Sequence, residues 1–112
     1  MRILATTIGA LLLTAGMASA QDAAQIERGQ KVYVAQKCGN CHSIAGKGNA
    51  KGPLDNVGAK FSEQEIRQWI VDAPTMTAKT KATRKPLMKA YKDLPKEDLD
   101  ALVAYMLSLK KS

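Results

Sequence analysis

The residues with the most distinctive chemistry are two cysteines and a histidine, which occur together as Cys38-Gly39-Asn40-Cys41-His42. This C-x-x-C-H spacing is the attachment sequence of c-type haem. Two thiols at this spacing can reach the two vinyl groups of one porphyrin and form thioethers, and the adjacent imidazole can ligate the iron through Nε2. The sequence therefore predicts one covalently bound haem c, held by Cys38 and Cys41, with His42 as an axial ligand.

Two other chemistries use the same residue types. A C-x-x-C pair can be a thioredoxin-like redox dithiol, but that motif is expected near a βαβ pattern, and the sequence shows no convincing strand. A structural zinc site takes four ligands, whereas the two cysteines and the single histidine of the chain supply three. Both alternatives are therefore weaker than haem attachment.

The first twenty residues are typical of a secretory signal peptide. Met1-Arg2 is positively charged, residues 3–18 are mostly apolar, and Ala18-Ser19-Ala20 matches the small-residue cleavage pattern. A membrane anchor is disfavoured because the apolar run is interrupted and is shorter than the roughly 20 residues of a spanning helix. We expect residues 1–20 to be cleaved, leaving a periplasmic single domain over residues 21–112 with no integral membrane segment.

The composition offers few side chains from which to build a core. The chain has 112 residues, of which 46% are hydrophobic. Its aromatic residues are Tyr33, Phe61, Trp69, Tyr91 and Tyr105. Because aromatic side chains carry much of the buried area of a small domain, a chain this short has difficulty forming a stable core unaided. The composition excludes a large or multidomain enzyme and suggests that a cofactor fills part of the interior.

Three helical segments are predicted to position the motif. The first covers about residues 22–37, just before the cysteines. The second begins at Ser62, since Ser62-x-x-Glu65 is a capping box, and it ends at Pro74. The third covers about residues 96–109, where apolar residues recur with helical spacing.

Two long segments separate these helices, at residues 39–60 and 73–93. The first contains five of the eight glycines, and the second contains two prolines without a clear period. Long loops without structure of their own usually serve a function, and wrapping a cofactor would be one. The predicted fold class is therefore all-α with long loops.

The chain resembles a small class I cytochrome c of bacteria, over essentially all of residues 21–112. That family has a Gly-x-x-x-aromatic pair in its first helix, a Gly-Pro-x-Leu turn after C-x-x-C-H, and a Leu-x-x-Tyr pair in its last helix. The matching residues are Gly29 and Tyr33, Gly52-Pro53-Leu54, and Leu102 and Tyr105. The resemblance implies the cytochrome c fold, in which three to four helices wrap around a covalently bound haem and the terminal helices cross at the glycine.

The resemblance also implies a methionine as the second axial ligand. Met88, in the segment Leu87-Met88-Lys89-Ala90-Tyr91, matches the family's Met-Pro-Ala-Phe/Tyr sequence, except that Lys89 stands where proline is usual. Met76 is the alternative ligand. Met106 lies on the apolar face of the last helix, where a core role is favoured. We therefore predict Met88 as the sixth ligand.

Two further haem contacts are implied by the resemblance. The Pro53 carbonyl would accept a hydrogen bond from Nδ1–H of His42 and so orient the imidazole. Trp69 has two interpretations, which stay open from the sequence: it is a core aromatic of the second helix, or its indole N–H donates to a haem propionate.

Basic residues are concentrated in one stretch. Residues 75–92 contain no acidic residue and six bases, namely Lys79, Lys81, Arg84, Lys85, Lys89 and Lys92. The stretch is either a solvated loop or a docking surface for an acidic redox partner, with steering that weakens in salt. Nucleic acid is not an expected partner because no recognition motif is present. An anionic membrane surface stays open as a partner.

These observations predict an electron carrier rather than an enzyme. We expect a periplasmic monohaem protein that cycles between Fe(II) and Fe(III) with His/Met ligation, monomeric when it is not in a complex. Two alternatives stay open. The chain is the haem subunit of a larger oxidoreductase, or it is a haem enzyme or gas sensor with an open sixth position, an alternative that the Lys89 departure keeps alive.

Overall fold

The computed structural model describes Gly9 and residues 15–111, with side chains from residue 22 onward. The described residues form five α-helices, one short 3₁₀ helix and one two-stranded sheet. In chain order they are α1 (Ala15–Ala35), the 3₁₀ turn (Cys38–Asn40), β1 (Ser43–Ile44), β2 (Lys47–Gly48), α2 (Val57–Lys60), α3 (Glu63–Val71), α4 (Ala73–Thr80) and α5 (Lys96–Ser108). The mostly helical class predicted from the sequence is confirmed.

The N-terminal helix is longer than expected. α1 begins at Ala15 rather than near residue 22. The signal peptide predicted for residues 1–20 lies largely outside the described residues, and its cleavage stays a prediction. Among the helices that the structure describes, none combines the length and apolar character needed to cross a bilayer.

The terminal helices α1 and α5 pack against each other at Gly29. A Cβ on Gly29 would collide with the carbonyl oxygen of Ala101 and lie 2.6 Å from Cβ of Tyr105. Four residues further along α1, the ring of Tyr33 meets that of Tyr105 edge-on, with centroids 6.0 Å apart. The absence of a side chain at Gly29 therefore sets the closest approach of the two helices, as the resemblance implied.

The core lies along one face of α5 and extends to α1 and α3. Its buried side chains follow the helical spacing seen in the sequence. They are Val32 of α1, Ile66 and Ile70 of α3, and Leu102, Val103 and Met106 of α5. The predicted core role of Met106 agrees with its 6% exposure.

The predicted start of α3 is confirmed by its hydrogen bonds. The backbone N–H of Glu65 donates to Oγ of Ser62 over 3.2 Å, and the Ser62 N–H donates to Oε1 of Glu65 over 3.1 Å. This reciprocal pair satisfies two donors that the first helical turn leaves open. It fixes the orientation in which α3 presents Ile66 and Ile70 to the core.

The segment 73–93 is not all loop, as the sequence had suggested. α4 begins at Ala73, with Pro74 in its first turn. A proline there loses no helical hydrogen bond and has a φ already suited to the helix. The proline that was expected only to end α3 therefore also starts α4, which continues until Lys81 adopts a left-handed φ of 57°.

The segment 39–60 also contains short elements that were not expected. β1 and β2 form an antiparallel pair, in which Ser43 faces Gly48 and Ile44 faces Lys47. The expectation that the chain has no strand is wrong for these four residues. Strands of two residues are too short to show an alternating pattern, and their turn depends on a positive φ at Ala45 and Gly46.

Candidate functional site

A cavity of about 570 Å³ lies between the C-x-x-C-H turn and the core. Volumes of about 300–1,000 Å³ are usual for small-molecule and cofactor sites. Its wall includes the predicted attachment and ligand residues Cys38, Cys41, His42 and Met88. Apolar side chains of α2, α3 and α5 complete it, among them Val57, Ile66, Ile70, Leu102 and Met106.

The 3₁₀ turn directs the cysteines and the histidine into this cavity. Lys37 ends the helical run with a left-handed φ of 58°. The N–H groups of Cys41 and His42 then both donate to the Cys38 carbonyl, over 3.1 and 2.9 Å. This compact turn brings the two half-buried thiols to the same cavity as the imidazole, and burial raises the pKa of the Cys38 thiol.

The imidazole of His42 is oriented by a backbone carbonyl. Its Nδ1 lies 3.0 Å from the carbonyl oxygen of Gly52. Because Nδ1 is engaged there, Nε2 is the ring nitrogen left to ligate a metal. Burial lowers the pKa of His42, against the effect of the Gly52 hydrogen bond. The ring is therefore neutral near pH 7, which is the form that binds metals.

The acceptor differs by one residue from the expected Pro53. The Gly52 carbonyl also accepts the N–H of Ser43 over 3.1 Å, and the Leu54 N–H donates to the Ser43 carbonyl over 2.8 Å. Successive carbonyls of extended backbone point to opposite sides, so the one that faces His42 belongs to Gly52. Pro53 itself is exposed, and a contact between it and a haem stays a prediction.

Two glycines allow the backbone to close around His42. A Cβ on Gly48, which has a φ of +108°, would collide with the His42 carbonyl. A Cβ on Gly52 would collide with the Cys41 carbonyl and with the guanidinium of Arg84. Arg84 is a site residue that sequence reasoning had placed only within the basic stretch, since nothing in its local sequence indicates this contact.

The three methionines differ in position. Met88 is half-buried in the loop after α4 and lines the cavity. Met106 also lines it but is part of the core. Met76 is buried in α4 and is not among the residues that line the cavity. The structure thus places Met88, and not Met76, in the same cavity as His42.

Two aromatic residues also contribute to the wall. Trp69 of α3 is half-buried and lines the cavity, and its donation to a propionate stays a prediction. Tyr33 lines it as well, with a hydroxyl that is buried and has no hydrogen-bond partner among the described residues. Burial raises the pKa of Tyr33 to about 12, so the phenol is neutral at physiological pH.

The predicted basic stretch borders this site. All six of its bases are exposed, and none forms an ion pair with a described residue. Arg84 and Lys89 line the cavity directly. Between them Leu87 is 49% exposed, and Nζ of Lys89 lies 5.0 Å from the ring centroid of Tyr91.

The donor set fits a haem c. Two thiols, an imidazole with its distal nitrogen available, and a thioether share one largely apolar cavity. Soft sulfur and imidazole ligands are those that c-type cytochromes use. The residues present could therefore hold the porphyrin through the thiols of Cys38 and Cys41 and its iron through His42 and Met88.

Comparison with known proteins agrees with this chemistry. A family model described as "Cytochrome c" matches residues 26–110. The chain is also 30% identical over 92 residues to "Cytochrome c oxidase subunit 2" of Alkalihalophilus pseudofirmus, a match that covers 74% of this chain and 25% of that protein. The chain therefore spans about a quarter of the length of that relative. No solved structure matches the chain significantly.

Proposed function

The chain belongs to the cytochrome c family, and from that premise we propose that it is a periplasmic monohaem electron carrier with His42 and Met88 as axial ligands. The observation that carries the proposal is the shared cavity, which Cys38, Cys41, His42 and Met88 all line. The two thiols can form thioethers with the vinyl groups of a porphyrin, and the imidazole and the methionine sulfur can ligate its iron.

A haem c supplies one-electron Fe(III)/Fe(II) chemistry when it is bound. Cys38 and Cys41 would hold the porphyrin through thioethers, and the Gly52 carbonyl orients His42 for ligation through Nε2. Apolar side chains of α3 and α5 line the cavity and would shield the bound group from water. Burial and the axial ligands both affect the reduction potential of a haem, and a His/Met pair raises it relative to a pair of histidines.

The surface around Met88 supports docking of an acidic redox partner. The six bases of residues 75–92 are exposed and form no ion pair with a described residue, so their charge is available to a partner. Electrostatic steering by such a face raises association rates and weakens as salt is added. We therefore expect the rate of reduction by an acidic partner to fall as ionic strength rises.

A second candidate function is that of the haem subunit of a larger oxidoreductase. It is favoured by one observation, that the matched oxidase subunit is about four times as long as the aligned region. Size-exclusion chromatography of the native protein from its source separates the two. A free carrier elutes as a monomer, whereas a subunit elutes with its complex.

Replacement of Met88 by alanine tests the ligation that the proposal requires. The ferric Met88→Ala holoprotein should lose the charge-transfer absorption band of thioether-ligated haem. Its reduced form should bind carbon monoxide near neutral pH, which the wild type should not do. The potential should also fall, because the ligand that favours Fe(II) is gone.

The matched control is Met76→Leu. It replaces a buried methionine outside the cavity by a residue of similar volume, a change that usually costs less than about 1.5 kcal/mol. We expect this variant to keep the charge-transfer band and not to bind carbon monoxide. Ready binding of carbon monoxide by the wild type, or an unchanged spectrum in Met88→Ala, would contradict the proposal and favour an open sixth position or another ligand.

A further inference from the structure

We propose that Arg84 is a positioning residue that fastens the loop carrying Met88 to the C-x-x-C-H turn, and so keeps the sixth ligand in place. This inference rests on the proposed function, because it presupposes that Met88 is a ligand. It concerns a residue that the sequence indicates only as one of the six bases of residues 75–92.

The loop that carries Met88 (residues 82–91, the Met88 loop) is anchored mainly at its ends. At the start, the Ala82 N–H donates to the Thr77 carbonyl over 3.1 Å. At the finish, the Tyr91 N–H donates to the Ile70 carbonyl over 2.9 Å. The long stretch between these points includes Met88, so its position depends on whatever holds the middle of the loop.

Arg84 anchors the middle of the Met88 loop. Its Nη2 donates to the carbonyl oxygen of Cys41. Among the described residues, this is the single hydrogen bond that joins residues 83–90 to the rest of the protein. A guanidinium donor to a carbonyl is a charge-assisted bond, stronger than one between neutral groups.

The same guanidinium also rests on the turn that orients His42. It occupies the space that a Cβ on Gly52 would need, and the Gly52 carbonyl is the acceptor for Nδ1 of His42. Arg84 therefore touches the peptide units of Cys41 and Gly52 while its own backbone belongs to the Met88 loop. One side chain thus joins the loop of the sixth ligand to the thioether attachment and to the support of the fifth ligand.

The positive charge of Arg84 should also affect the reduction potential, because it lies near His42. The guanidinium lies against the peptide units of Cys41 and Gly52, and the Gly52 carbonyl accepts from Nδ1 of His42, so the charge of Arg84 lies close to the imidazole. A fixed cation beside the axial ligand also disfavours the more positive oxidation state of a bound iron. Arg84 should therefore raise the reduction potential in addition to holding the loop.

Three variants of the exported holoprotein separate these roles. Arg84→Gln removes both the charge and the charge-assisted bond. Arg84→Lys keeps the charge but loses the planar guanidinium that donates to the Cys41 carbonyl and packs against Gly52. Lys85→Gln is the matched control, because it removes the same charge from the next position, where the structure records no hydrogen bond or ion pair for the side chain.

The readout is the ferric thioether band, followed as denaturant or pH is raised. Loss of a hydrogen bond to a charged group should increase the equilibrium constant for Met88 dissociation about tenfold or more in both Arg84 variants. Lys85→Gln should stay within about twofold of the wild type, as surface substitutions usually do. The potential should fall most in Arg84→Gln.

Two results would overturn the inference in distinguishable ways. If the wild type shows the band and both Arg84 variants lose it no earlier than Lys85→Gln, Arg84 does not position the loop, and the proposed ligation stands. If the wild-type holoprotein has no thioether band at all, Met88 ligation fails, and the inference falls with it.

Discussion

His42 shows how much a single side chain depends on backbone that is remote in the chain. Its ring nitrogen Nδ1 is held by a carbonyl ten residues later, and two glycines make room for that approach. A side chain at Gly48 or Gly52 would displace the backbone that orients the imidazole. The ligand motif is therefore five residues long in sequence, but its working geometry requires the whole segment up to Leu54.

The stability of the protein should depend on pH through the ionisation of one carboxyl group, that of Glu65. The hydrogen bonds from Ser62 hold the pKa of Glu65 below its ordinary value of 4.5. A lowered folded-state pKa means that the stabilisation is fully present above the ordinary pKa and is lost as pH falls through the folded value. In Glu65→Gln the amide oxygen can still accept from Ser62, but it does not titrate.

We expect Glu65→Gln to be less stable than the wild type near neutral pH, because a neutral acceptor is weaker and interacts less with the helix dipole. The difference should shrink as the solution is acidified below the ordinary pKa. Denaturant unfolding of both holoproteins at a series of pH values measures it. A difference that stays constant across this range would show that the carboxylate charge does not support the cap.

The packing of α1 on α5 is the most extensive contact between elements in the described part of the chain. Gly29 is buried against the backbone of Ala101, so a methyl group there can be accommodated only if the helices move apart. Arg28 adds an ion pair across the same interface, 2.9 Å from Asp98. Since that pair is largely exposed, it contributes little compared with the close contact.

Gly29→Ala should therefore destabilise the holoprotein by about 1–3 kcal/mol, the usual cost of overpacking, even though alanine is the better helix former by about 1 kcal/mol. The control is Gln30→Ala, at an exposed position of the same helix, which should change the stability by no more than about 0.5 kcal/mol. The free energy of unfolding in denaturant measures both. A Gly29→Ala protein as stable as the control would show that the helices are not in close contact at Gly29.

Elements with strong local signals could be predicted from the sequence, and those that depend on distant contacts could not. The capping box and the periodic face of α5 are local patterns, and both appear as expected. Strands β1 and β2 depend on the geometry of the turn between them, and α4 depends on a proline in its first turn. Neither feature produces a hydrophobic period in the sequence. In the site, C-x-x-C-H predicted that Cys38, Cys41 and His42 act together, and all three line one cavity. The Arg84 contact spans 43 residues, and nothing in the sequence indicates it.

Across the whole molecule, charge is divided between two regions. The acidic residues near the start of α5 are paired with Arg28, Arg67 and Lys96. The six bases around the Met88 loop have no such partners among the described residues. Residues 75–92 also contain no acidic residue, so this stretch beside the cavity carries positive charge that its own sequence does not neutralise. Such a surface would favour the acidic redox partner proposed above.

Spectroelectrochemical titration of the exported protein, produced with its haem attached, tests the central claim most directly. We predict a single reversible one-electron transition, identical in the presence and absence of carbon monoxide, at a potential typical of His/Met rather than bis-histidine ligation. A preparation in which acid extraction removes the haem from the chain would contradict the covalent attachment. A transition that carbon monoxide displaces would contradict the closed, six-coordinate carrier.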